Sequence, residues 1–184
     1  FRFSVKVPRE ISHLLRLRAC AKPLARFLAE IEGLGPRLGV LLIQLPPSLA
    51  FERRTVRAFF GLLRRRYDGD AVVEPRNLSW FDAAVDPVLD EFAIGRVASD
   101  PSICAAAKVP IARSGVAYWR LHGSPRMYYS RYDDDALREI AAHVAGEPAP
   151  RRWCIFDNTA HGHAIADALR LIEWTAKRAR TRAR

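Results

Sequence analysis

Apolar, β-branched runs recur six times along the chain: FRFSVKVP (1–8), LGVLLIQLP (38–46), DAVVEPR (70–76), FAIGRVA (92–98), VAYWRLHG (116–123) and RRWCIFDNT (151–159). Each is short enough to be a strand. Between them lie segments with helical periodicity: PLARFLAEIEGLG, TVRAFFGLLRRRY, DPVLDEF, DDALREIAAHVAG and HAIADALRLIEWTAKRAR. Asp133 and Asp134 mark one helix start and Gly146 follows one end. Residues 99–115 break the pattern and read as a loop or an irregular helix.

Strands that alternate with helices imply parallel β-α units, whose strands are buried on both faces and therefore nearly continuous in apolar content. An open doubly wound sheet and a (β/α)8 barrel both satisfy that pattern. Either one keeps its site at the carboxyl ends of the strands. Polar residues gather at those ends here: Lys6 and Arg9, Gln44, Glu74 and Arg76, Ser99 and Asp100, Arg120 and His122, then Asp157, Asn158 and Thr159.

Composition narrows the picture. At 184 residues and 49% hydrophobic, the chain can bury one substantial core, read here as one domain over 1–176. Every apolar run is interrupted well short of the roughly 20 residues that span a bilayer, so no membrane partner is expected. The N-terminus lacks a signal-peptide pattern, and three widely spaced cysteines, Cys20, Cys104 and Cys154, suggest neither a zinc site nor a disulfide framework. A reduced, cytosolic chain is the expectation. The formal charge of +10, from 30 Lys and Arg against 20 Asp and Glu, points to an anionic partner. About half of that excess sits in the tail KRARTRAR (177–184), read as a solvated, disordered end through which nucleic acid is a possible partner.

The ordered segments FSVKVPREISH, LGVLLIQLPPS, VEPRNLSW, YWRLHG with its Tyr-rich continuation, and FDNTAHGHAIADAL together resemble the YecE-like family, domain of unknown function 72. The resemblance covers nearly the whole chain. It implies a TIM-type (β/α) barrel in which the six runs stand for strands three to eight, so six of eight β-α units are expected and the first two have no counterpart. A full barrel takes about 250 residues, leaving a deficit of roughly 60. Within the motifs, Pro75 replaces a usual apolar or aromatic residue, Asn77 a frequent His, and Asp157 a usual Asn.

The candidate chemistry follows from strand periodicity. Alternation puts Arg120 and His122 on one face with Tyr118, and Trp119 and Leu121 on the other. Such polar groups line a mouth where a ligand pairs with them, or else form an internal salt bridge and backbone hydrogen bonds. Glu74 and Arg76 share a face likewise, as do Ser4 and Lys6. Glu74 is the candidate general base, with Lys6 or His122 as proton donor; its plainer reading is a structural ion pair with Arg76 or Lys6. Arg76 and Arg120 suit an anion through their planar forks.

Gln44, Asn158, Trp80 and Tyr132 complete the candidate substrate-binding set. Asn158 and Thr159 have a rival role as helix caps, and Trp80 either walls a pocket or covers strand ends. Backbone amides near Gly162 and a mix of Tyr128, Tyr129, Arg126 and Arg131 would favour phosphates or rings. His161 and His163 are too poorly spaced to name as metal ligands, the cysteines read as core, and no nucleotide fingerprint or other cofactor motif is present. The expected function is an enzyme acting on a small phosphorylated or carboxylated substrate by general acid/base chemistry. The alternative is a non-catalytic nucleic-acid binder; oligomeric state and cofactor are left open.

Overall fold

Helix α2 (Arg53–Arg64) shows how local sequence sets an element. Glu52 stands at its N-cap and its carboxylate accepts from the backbone N–H of Arg54 and Thr55, both at 2.9 Å. Val56, Phe59, Phe60 and Leu63 then recur at helical spacing and form the buried face. In the computed structural model, which describes residues 1–113 and 115–182 and side chains through Lys177, five α-helices alternate with parallel strands. The chain is a mixed α/β protein, as the alternation predicts.

Two compact units are present, Phe1–Val97 with Ile111–Ser114, and Ala98–Pro110 with Gly115–Arg184. The first holds β1 (Phe3–Lys6), α1 (Ala21–Glu32), β2 (Leu38–Gln44), α2, β3 (Asp70–Glu74), α3 (Asp86–Glu91) and β4 (Gly95–Arg96). Its strands pair in parallel in the order β1-β2-β3-β4. Interior residues of β2 and β3 are buried, whereas β1, at the sheet edge, is partly exposed. Leu41, Ile43, Ala71 and Val73 join Leu24, Phe27, Phe59 and Leu63 from the helices in the core.

The second unit holds β5 (Ala98–Asp100), β6 (Val116–Leu121), α4 (Asp134–Gly146), β7 (Arg151–Phe156) and α5 (His163–Arg182), with a parallel sheet in the order β5-β6-β7. All six residues of β6 are buried, as a central strand covered on both faces must be. Asp133 caps α4 by accepting from Ala136 N–H at 2.8 Å. Of the stretch 99–115 read as irregular, Ser99 and Asp100 instead pair with β6 as part of β5, while a short 3₁₀ turn at Ala105–Lys108 follows before β6.

One expected strand shifts. Phe92 and Ala93 do not begin it; their N–H groups bond back to Val88 and Asp90 and close the turn after α3, and the Phe92 ring packs on Phe60. Apolar content alone does not separate a strand start from a helix end. The basic residues beyond Lys177 are read as a tail from sequence, and their side chains lie outside the described residues.

Candidate functional site

In the first unit the candidate residues stand at the carboxyl ends of β1, β2 and β3. Gln44 lies opposite Glu74 in register, and Lys6 is level with Leu42 and exposed. Glu74 is fully buried, and the guanidinium of Arg76, itself only 11% exposed, forms an ion pair with it. A carboxylate removed from water this completely is costly unless a cation and hydrogen bonds meet it. Proline between them, at position 75, leaves Glu74 and Arg76 on one side.

Trp80 lies in the short 3₁₀ turn after β3, at Leu78–Phe81. It is fully buried, its indole N–H donates to the Leu49 carbonyl at 2.9 Å, and the Phe51 ring meets it edge-on at 5.2 Å. Asn77 holds the same turn: its side chain accepts from Ser79 N–H at 3.1 Å and donates to Pro47 carbonyl at 2.8 Å. The stretch VEPRNLSW thus ties the end of β3 to the loop after β2.

In the second unit, Asp157 engages two candidates at once. Arg120, 8% exposed, forms an ion pair with its Oδ2, and Nδ1 of the fully buried His122 stands 3.0 Å from the same oxygen. The parallel pairing carries these groups together: Arg120 faces Ile155 in register, and Asp157 N–H donates to Leu121 carbonyl at 2.9 Å. Tyr128 approaches the His122 ring edge-on at 5.7 Å.

Asn158 and Tyr132 belong to a second network. Asn158 donates to the Ser130 carbonyl at 3.0 Å and to Asp167 Oδ2 at 2.7 Å. That same Asp167 oxygen accepts from Tyr132 N–H at 3.0 Å. The Tyr132 hydroxyl donates to Asp100 at 2.7 Å and accepts from Gly123 N–H at 2.9 Å. Burial first, and the Asp100 carboxylate next, push the Tyr132 phenol far above its ordinary pKa, so it remains a donor at any physiological pH.

Asp167, 2% exposed, is the residue sequence reasoning missed. It lies four positions before the buried Leu171, and a carboxylate at that spacing was the available signal. Thr159 accepts from Gly162 N–H through its carbonyl at 3.0 Å, just before α5 begins. Tyr129 lies under the Arg126 guanidinium at 3.9 Å and against His161 at 5.4 Å. Among the described residues, no group of three or more His, Cys, Asp or Glu is placed to hold a metal, and no helix is long and apolar enough to cross a membrane.

The two clusters have distinct chemistry. Asp157 presents a carboxylate to both a guanidinium and an imidazole nitrogen, an arrangement able to fix a histidine tautomer and hold positive charge beside it. Glu74 with Arg76 is a buried carboxylate paired with a guanidinium.

The family profile described as "Protein of unknown function DUF72" matches residues 1–184. Among solved structures, a DUF72 family protein from Thermotoga maritima MSB8 is 25% identical, with a TM-score of 0.81 over 94% of this chain and 73% of its own. A DUF72 family protein from Enterococcus faecalis V583 is 21% identical, with a TM-score of 0.76 over 94% of this chain and 77% of its own. No curated protein matches.

Proposed function

The chain belongs to the DUF72 family, and we propose that it is a cytosolic enzyme acting on a small phosphorylated or carboxylated substrate by general acid/base chemistry. The observation that carries this reading is the shared carboxylate of Asp157, which meets Arg120 and the Nδ1 side of His122 where β6 and β7 end. In this reading His122, beside Asp157, exchanges a proton with the substrate and the planar Arg120 guanidinium orients its anion.

In the first unit Glu74, paired with Arg76, is the candidate base, with Lys6 as proton donor and Gln44, its neighbour in register, as a substrate-binding residue. The TIM-type barrel of the resemblance, with the six apolar runs as its strands three to eight, is part of the same reading. Asn158 and Tyr132 enter it by holding the strand ends through Asp167 and Gly123.

A thermal-shift screen of phosphorylated metabolites, organic acids and short oligonucleotides at low and moderate salt tests the proposal. A small anion is expected to raise Tm by several degrees. Arg120→Lys keeps a cation against Asp157 but removes the planar fork, and is expected to abolish most of that shift. Stabilisation by oligonucleotides alone, vanishing with salt, would overturn the enzyme reading in favour of a nucleic-acid binder.

A further inference from the structure

We infer that the first unit carries a binding groove for a single-chain amphiphilic anion, an alkyl carboxylate, between the segment that enters α1 and the outer face of α2. Nothing in this inference depends on the strand-end chemistry proposed above. The groove is open to solvent along its length and offers about 640 Å³, within the range of small-ligand sites. Its floor is apolar, built from Leu17, Phe59 and Leu62, with Ala58 exposed beside them.

Three arginines, Arg18, Arg54 and Arg65, stand exposed on its rim against one carboxylate, Glu52. That carboxylate is already engaged. It caps α2 through Arg54 and Thr55 N–H, and the Thr55 hydroxyl bonds to it as well. Those bonds hold Glu52 below its ordinary pKa, with Arg18 adding a smaller pull from 4.0 Å. The Cys20 thiol, the other polar group of the floor, donates to the Arg18 carbonyl at 3.2 Å. An occupant therefore meets guanidinium and hydrocarbon, which is the complement of an alkyl chain ending in an anion.

The segment that enters α1, which supplies one wall of the groove, takes a left-handed backbone at and beside that wall. Arg16, Leu17 and Ala19 adopt φ of 51°, 65° and 51°, a conformation that side chains with a Cβ rarely take. Such strain persists where surrounding contacts enforce it, and it concentrates at ligand sites. Here the enforcing contacts are explicit: Arg16 donates to Ser48 Oγ at 3.0 Å and Ser48 carbonyl at 2.8 Å, and Leu17 N–H bonds to Ile11 carbonyl at 3.0 Å. The detour drives the Leu17 side chain into the core, leaving it 3% exposed, and turns Arg18 outward.

Isothermal titration with dodecanoate below its aggregation concentration tests the assignment. One dodecanoate is expected per chain, with acetate and dodecyltrimethylammonium each at least about tenfold weaker, a difference of about 1.4 kcal/mol. Ala58→Trp, which fills the groove from an exposed helix position, and the double variant Arg54→Glu, Arg65→Glu are each expected to weaken dodecanoate about tenfold while far-UV circular dichroism is unchanged. Equal binding of the cationic detergent, or dodecanoate binding that survives both variants, overturns the inference. Binding confined to phosphatidylglycerol vesicles would assign the surface to a membrane instead. A dimer that is lost in Ala58→Trp would assign it to a second copy of the chain.

Discussion

Gly123 and Tyr132 fix each other. Gly123 has a φ of 91°, and a Cβ there would stand 2.6 Å from the Ser130 carbonyl oxygen, so only glycine passes this point beside the 126–130 loop. Its N–H donates to the Tyr132 hydroxyl, which in turn donates to Asp100. Tyr132→Phe removes one oxygen and leaves both a buried N–H and a carboxylate without that partner. The expected cost is about 1–3 kcal/mol, read as a lower midpoint in urea with the slope unchanged. A loss within error of zero would mean that water replaces the hydroxyl and that the loop does not depend on it.

Helix α5 shows where periodicity misleads. Its strongest apolar stripe is Ile165, Leu169 and Ile172, yet these are 75%, 58% and 62% exposed, while Asp167 and Leu171 are buried at 2% and 4%. Asp167 chooses the face, because Asn158 Nδ2, Tyr132 N–H and Arg170 all meet its carboxylate. Ile172→Ser is therefore expected to change stability by less than about 0.5 kcal/mol, whereas Asp167→Ala costs about 2–4 kcal/mol by leaving the Tyr132 N–H and an Asn158 amide hydrogen without this buried acceptor. Chemical denaturation of both variants checks the pair; the reverse ranking would show that the apolar stripe is the packed face.

Five of the six strand runs were legible because buried parallel strands are continuously apolar, whereas the run at 92–98 divides into a helix end and the short strands β4 and β5; α4 was legible because Asp133 and Gly146 bracket it. The clustering of Arg120 with His122 was likewise readable from the two-residue period. Their link to Asp157 was not, since register between strands about 35 residues apart is set by packing and not by local pattern. Trp80 was ambiguous for the same reason: whether an indole covers a core or walls a site depends on Leu49 and Phe51, which sequence alone does not bring to it.

Across the whole molecule, each unit holds groups that resist ionising, and alkaline pH acts on both. Burial, with Glu10 adding to it, pushes the Cys20 thiol of the first unit up to about 11. Burial pushes Cys154 in β7 up to about 12, against a small opposing pull from Arg152. Tyr67 and Tyr132 are raised too, each first by burial and then by a neighbouring aspartate. In the unfolded chain thiols ionise from about pH 8.5 and phenols from about 10. Below those values folded and unfolded states hold the same protons, so these groups leave stability unchanged. Above them the unfolded chain releases protons that the fold retains, and stability falls as pH rises toward the folded values. Melting temperature is accordingly expected to be level near pH 7–8 and to decline steadily between about pH 8.5 and 11. Cys154→Ala removes one of the two thiols and should flatten the early part of that decline. A wild-type curve that stays level through pH 10.5, or a variant as steep as the wild type, would show that the thiols ionise in the folded state as readily as in the unfolded chain.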